Sequence, residues 1–156
     1  MTRTSVAIRS ALALALLAPI KPALAFPANL QPIADALEQR GWTVLLKAPP
    51  RKGIYGMANS KKKTIWVHPI TEAMGIMPQT FVHEAVHAAQ SCPNGTLTLI
   101  GVQRPVDPAV GSRIRYLLRN HYKPNTAAVE QEAFVIQSQP DAEHLIITAL
   151  DQRCSP

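Results

Sequence analysis

The sequence predicts an α+β fold, with a helix and a small antiparallel sheet followed by a largely helical C-terminal half. Short runs rich in apolar and β-branched residues occupy 42–47, 53–58 and 63–69, and the last two flank the polar turn NSKKK, as in a β-hairpin. Beyond these strands, apolar residues recur at helical spacing between proline-containing breaks. Strands grouped together before a run of helices are typical of an α+β domain.

The expected helices are delimited by residues that favour helix ends. Gly41 follows the first helix, and Asp107-Pro108 combines a capping carboxylate with a first-turn proline. The stretch Cys92-Pro93-Asn94-Gly95 is a strong break. Residues 96–103 remain ambiguous between a short strand and a helix end. The predicted helices cover 32–40, 71–92, 107–122, 126–138 and 141–153.

Residues 1–25 have the order of features expected of a secretory signal peptide. A basic segment without acids precedes the short apolar run ALALALLAPI, and ALA at 23–25 lies just before Phe26. The apolar run is too short to span a bilayer, which requires about 20 residues. We therefore expect cleavage near Ala25, a secreted or periplasmic protein without a stable membrane anchor, and a single mature domain over 26–156.

The net charge and the cysteine content of the sequence limit the classes of binding partner and indicate the redox state of the compartment. The formal net charge is +6, and half of that excess lies in residues 1–25. The lysine run 61–63 has no interleaved aromatic residues, so we expect no nucleic-acid partner. Cys92 and Cys154 form an even pair, which in an oxidising compartment predicts one disulfide, with two unpaired thiols as the alternative. The chain has no CxxC set for a cysteine–zinc site.

The segment HEAVH, residues 83–87, has the spacing of a metal-binding helix. His83 and His87 are four positions apart, so on a helix both imidazoles lie on one face, where zinc accepts nitrogen ligands at about 2.0–2.1 Å. Glu84 lies about 100° round the helix from His83. It is therefore placed to act as a general base, and not as a ligand.

A catalytic zinc site requires a third protein ligand. Glu132 projects into the apolar stripe of its predicted helix, whereas Glu130 projects away from that stripe. Because a carboxylate on a core-facing stripe is costly unless it is paired or bound to a metal, Glu132 is the favoured ligand. Two alternatives remain open: an ion pair of Glu132 with Arg113 or Arg115, and His121 as the third ligand.

HEAVH on one helix and EQEAF on a later one together resemble the zincin metallopeptidases, more narrowly the small gluzincin type, over about residues 53–137. The resemblance implies a zincin-like fold, one Zn²⁺ ion, and a peptide or protein substrate. It also implies that His83, His87 and Glu132 bind the zinc and that Glu84 is the catalytic glutamate. In this family a Tyr or His often stabilises the oxyanion, and the candidates are Tyr116, His121, Tyr122 and His144.

Some features depart from the family pattern, and other functions remain open. The interval from His87 to Glu132 is wider than in many small members, and no HxxGxxH extension follows. The alternatives to a monomeric peptidase are a catalytically silent zincin-like protein that binds a metal or a partner, and a structural protein with a chance HExxH. Glu84 favours the enzyme, because this residue serves catalysis and is not a ligand.

Overall fold

The order of helices and strands confirms the α+β class. The computed structural model describes residues 26–154, so the predicted signal peptide lies outside the described residues. None of the helices in this range is long and apolar enough to cross a membrane. After a short 3-10 helix (Ala28–Leu30), the elements are α1 (Gln31–Glu38), β1 (Thr43–Leu46), β2 (Gly56–Asn59), β3 (Thr64–Val67), α2 (Ile70–Ala73), α3 (Met77–Gln90), α4 (Pro108–His121), α5 (Ala127–Gln137) and α6 (Ala142–Arg153).

The three strands form one mixed sheet in the order β1-β3-β2. The predicted hairpin is confirmed, because β2 and β3 pair in antiparallel fashion with Gly56 opposite Val67. The expectation of a wholly antiparallel sheet is wrong, because β1 pairs parallel to β3, with Thr43 opposite Thr64. The segment 47–55 crosses from one side of β3 to the other and reverses the chain direction. The hairpin reverses it again, so β1 and β3 run in the same direction.

Helix α3 is the centre of the molecule. It packs against α1, α5, α6 and the strands β2 and β3. Apolar side chains on several sides of the helix are fully buried, namely Phe81, Ala85, Val86, Ala88 and Ala89. The polar side chains of HEAVH therefore lie in the interior of the protein, at the contact with α5 and the sheet.

The C-terminal end of α3 is held by the end of α6. Cys92 and Cys154 form the predicted disulfide, with their Cα atoms 5.1 Å apart. The Arg153 guanidinium donates hydrogen bonds to the carbonyls of Ala89 (3.1 Å), Cys92 (3.2 Å) and Leu99 (3.0 Å). The bonds to Ala89 and Cys92 satisfy carbonyls that the end of α3 leaves unpaired. The disulfide is compatible with an extracellular, oxidising environment.

The connection between α3 and α4, residues 91–107, contains the stretch that was ambiguous in the sequence. Residues 96–103 form neither a strand nor a helix, and they run alongside α5. Asp107 caps α4 as predicted, because its carboxylate accepts hydrogen bonds from the backbone N–H groups of Ala109 (2.8 Å) and Val110 (3.4 Å). The connection therefore ends at the capped start of α4. Its middle part lies against α5, the helix that carries Glu130 and Glu132.

Candidate metal centre

His83 and His87 of α3 and Glu130 of α5 form a group that can hold a metal ion. The two Nε2 atoms are 3.1 Å apart, and Oε2 of Glu130 lies 3.2 Å from each of them. A tetrahedral zinc site with bonds of about 2.0–2.1 Å separates its ligand atoms by about 3.3–3.4 Å. The three atoms therefore form a triangle close in size to one face of such a site.

The hydrogen bonds of Gln90 determine which nitrogen of His87 faces the triangle. The Gln90 amide nitrogen donates to the carbonyl of Val129 and to Oε2 of Glu132, both at 2.9 Å. Its oxygen Oε1 must then face Nδ1 of His87, which lies 2.7 Å away. Because Oε1 can only accept, Nδ1 carries the proton and donates it, and Nε2 presents a lone pair to the triangle.

His83 is held in a similar way by α5. Its Nδ1 atom lies 2.9 Å from Oε1 of Gln137, and its ring packs on Phe134 with centroids 4.6 Å apart. When the ring protons are on the two Nδ1 atoms, two imidazole nitrogens and one carboxylate oxygen converge as acceptors, and a cation between them offsets their mutual repulsion. Two imidazoles and a carboxylate are a donor set that suits a divalent transition-metal ion.

The structure corrects the third residue of the predicted ligand set, because Glu130 and not Glu132 meets the two histidines. Glu132 is buried, as expected from the apolar stripe. Its carboxylate accepts hydrogen bonds from the backbone N–H groups of residues 100–102 and from Gln90. These four N–H donors satisfy it, so neither a metal ion nor an ion pair with Arg113 or Arg115 is required.

The direction of packing explains why sequence reasoning missed Glu130. Helix α5 contacts α3 over a sector wider than its apolar stripe: Glu132 on the stripe bonds to Gln90, and the side that projects away from the stripe also faces α3. Glu130 and Gln137 are seven positions apart on this second side, and both reach the histidines. In the sequence, the sign of this site was that Glu130 and Gln137 share one face of α5. A polar helix face, however, usually indicates exposure to solvent.

Without a metal ion, Glu130 and His87 favour each other's charged forms. Burial acts to raise the pKa of Glu130, but hydrogen bonds from His83 and His87 prevail and lower it to about 2. Burial likewise acts to lower the pKa of His87, yet the hydrogen bond to Glu130 and the nearby charge of Glu84 leave it raised. Below its raised pKa, His87 therefore carries a proton that takes the place of the cation when no metal is bound.

Glu84 lies beside the triangle without belonging to it. Its side chain is buried between α3 and β2, where a Cβ atom added to Gly56 would fall 2.6 Å from Oε1 of Glu84. Burial raises the pKa of Glu84, and the proximity of His83 and His87 only partly opposes this effect. A carboxyl group near the ligands, with a raised pKa and outside the ligand set, matches the position of a general base.

Tyr122 is the only one of the four oxyanion candidates that the structure brings next to the triangle. Its ring packs edge-on against Phe134, with centroids 5.8 Å apart, and Phe134 in turn contacts His83. Burial, and then the charges of Glu130 and Glu84, raise the pKa of the Tyr122 phenol to about 12. The other candidates are solvent-exposed and lie outside the metal-binding group: Tyr116, His121 and His144. His121, the alternative third ligand, therefore does not meet the two histidines.

Comparison of the chain with models of protein families, with curated proteins and with solved structures found no match. The likeness to zincins consequently rests on HEAVH, on the downstream glutamate and on the order of the elements. What the protein does must be inferred from the chemistry of the site itself.

Proposed function

We propose that the protein is a zinc-dependent metallopeptidase that acts outside the cytoplasm. One observation carries the proposal: three side chains converge as ligands, while a fourth carboxyl group, Glu84, lies beside them on the same helix. Catalytic zinc sites have three protein ligands and one open position, and a nearby glutamate commonly acts on water. A purely structural metal site has a closed set of four ligands and no use for this extra carboxyl group.

The side chains around the site have complementary roles in peptide hydrolysis. A zinc ion held by His83, His87 and Glu130 would polarise the scissile carbonyl and make a water molecule more acidic. Glu84 accepts the proton of the attacking water and donates it to the leaving amine, and its raised pKa favours the second transfer. Tyr122 keeps its proton at neutral pH because its pKa is about 12, so its hydroxyl can donate to the developing oxyanion.

Strand β2 supports a peptide as the substrate. Within residues 26–154 no strand pairs with its other edge, and β2 passes directly over Glu84 at Gly56. An extended peptide binds to a free edge by continuing the sheet, with main-chain hydrogen bonds that depend little on its sequence. Such binding would present a backbone amide close to the triangle.

The order of the elements and the disulfide support the zincin-like fold and the extracytoplasmic location. A small sheet, the HExxH helix and a later helix with the ligand glutamate follow one another as in small gluzincins, with Glu130 in the place expected for Glu132. The signal-peptide pattern of residues 1–25 and the disulfide between Cys92 and Cys154 support export to an oxidising compartment.

The substitution Glu84→Gln tests the proposal, because it removes the base and leaves all three ligands in place. We expect hydrolysis of a quenched fluorescent peptide library to fall about 10²–10⁴-fold, the usual contribution of general acid–base catalysis. Zinc content, measured by atomic absorption, should remain near one ion per chain. Glu72→Gln serves as the control, because Glu72 is exposed on α2 and should change neither quantity.

Two results would contradict the proposal in different ways. A wild-type protein that binds zinc but cleaves no peptide would support the catalytically silent metal-binding protein. A wild-type protein that binds no zinc when it is supplied would overturn both interpretations.

A further inference from the structure

We infer that Gln90 and Glu132 are positioning residues that orient His87 for metal binding and connect its ring to the chain segment before α4. Together with the backbone N–H groups of residues 100–102 they form a hydrogen-bonded chain, called here the relay. The inference rests on the proposed metal site and adds two residues that neither bind the ion nor touch a substrate.

The relay begins at Glu132, whose carboxylate is held by N–H donors alone. Oε1 accepts from Gly101 (2.6 Å) and Val102 (3.0 Å), and Oε2 accepts from Ile100 (2.8 Å) and Gln90 (2.9 Å). The residue is 6% exposed, and it forms no salt bridge within residues 26–154. Three of the donors belong to consecutive residues of the connection, so this segment is fixed around one carboxylate.

Gln90 connects the fixed carboxylate of Glu132 to the ring of His87 by hydrogen bonds. Its side chain is fully buried, and its amide nitrogen has an acceptor for each hydrogen, one on Glu132 and one at the carbonyl of Val129. A rotated amide would place its oxygen against these two oxygens and leave buried groups unpaired, which is strongly unfavourable. Oε1 is therefore locked towards Nδ1 of His87, and Nε2 stays free to bind the ion.

The same segment of backbone is attached to Gln90 at a second point. The backbone N–H of Thr98 donates to the carbonyl of Gln90 at 2.9 Å, and Arg153 donates to Leu99 at 3.0 Å. Displacement of the connection would withdraw donors from Glu132 and free the Gln90 amide to rotate. A purely local role of Glu132 in stabilising the connection would not explain why the chain of bonds continues to a metal ligand.

The first test compares zinc affinities of Gln90→Met and Glu132→Gln, measured by competition with a chromophoric chelator. We expect each variant to bind zinc about 10–100-fold more weakly, the usual effect of removing a partner of a ligand. Because both act through one chain, the double variant should be little weaker than the worse single variant. Ser91→Ala is the matched control, since Ser91 is buried at the end of α3 and its hydroxyl donates to the carbonyl of Ala88.

The second test needs no variant and no metal. Long-range ¹H–¹⁵N NMR of the metal-free wild type, at a pH where His87 is neutral, should show the Nδ1–H tautomer, and Gln90→Met should add the Nε2–H form. An Nε2–H tautomer in the wild type would overturn the relay, as would unchanged zinc affinity in both folded variants. A wild type that binds no zinc would instead refute the proposed metal site, so the two failures are distinguishable.

Discussion

Glu130 and Glu132 lie two positions apart on α5, yet their surroundings give the two carboxylates different roles. Glu130 faces two imidazole nitrogens, whereas Glu132 faces four N–H donors. Acceptors that face acceptors require a cation, and an acceptor surrounded by donors requires nothing more. A metal ion is therefore expected only at Glu130.

Removal of Glu130 should affect metal binding more than disruption of the relay. We expect Glu130→Gln to weaken zinc binding by more than about 100-fold, because it removes a ligand and not a partner of a ligand. Chelator competition measures the affinity, and Gln131→Ala, at an exposed neighbouring position on α5, serves as the control. A larger loss in Glu132→Gln than in Glu130→Gln would show that Glu132 is the ligand after all.

The absence of a side chain at Gly56 leaves room for Glu84. An added Cβ would lie 2.6 Å from Oε1 and 2.8 Å from Cγ of Glu84, closer than real contacts allow. We expect Gly56→Ala to displace this carboxyl group and lower kcat by about 100-fold, as small misplacements of catalytic groups do. Zinc content should stay unchanged, and normal activity in the alanine variant would show that the position of Glu84 is not critical.

At the scale of single residues, the sequence predicted the site residues whose positions depend only on their spacing within one helix. His83, His87 and Glu84 follow from the helical repeat, which needs no knowledge of the neighbours. The third ligand depends on which residue of α5 reaches the two histidines, and that is set by the packing of the whole domain. The burial of Glu132 was predicted, but four N–H donors, three of them from a segment with no recognisable pattern, were not.

At the scale of helices and strands, local signals predicted most elements. Asp107, Pro78 and Gly41 mark helix ends in the chain itself, so these ends were recognisable without tertiary information. The parallel pairing of β1 and β3 was not predictable in this way. It results from the path of 47–55 across the sheet, and no residue in that segment specifies which edge the next strand will join.

The disulfide is the covalent link between two of these elements, α3 and α6. Its cysteines are 62 residues apart, and closing a loop of that length stabilises a fold by about 4 kcal/mol in the chain-entropy model. We expect the double variant Cys92→Ala/Cys154→Ala to lose about this much in urea unfolding, compared with the oxidised wild type. Equal unfolding free energies would mean that Arg153 and the core fix the α3–α6 contact without the bond.

At the scale of the whole molecule, the site couples stability to pH. Glu130 has a folded pKa of about 2, below the ordinary 4.5, so its contribution is present above pH 4.5 and is lost as the pH falls through about 2. His87 has a raised folded pKa, so its contribution is present below pH 6.5 and is lost as the pH rises through that raised pKa. Without a metal ion, the Glu130–His87 pair therefore stabilises the fold most between pH 4.5 and pH 6.5.

At higher pH, where His87 loses its proton, bound zinc should stabilise the fold in place of that proton. We expect the rise in Tm on replacing EDTA by zinc to be larger near about pH 8 than near about pH 5.5, because the proton on His87 competes with the ion. Differential scanning calorimetry at both pH values measures the effect. The same Tm increase at both values would show that protonation of the histidines does not compete with the metal.

The disulfide also determines how the molecule would carry a mechanical load. A pull on the two ends of the described chain passes from Cys92 directly to Cys154, so the loop between them, which contains α4, α5 and α6, bears no tension. Reduction would add about 200 Å of extensible contour, at about 3.3–3.6 Å per residue. His83 and His87 lie on the loaded path and Glu130 lies within the shielded loop, so stretching would separate the two halves of the metal site while leaving α5 intact.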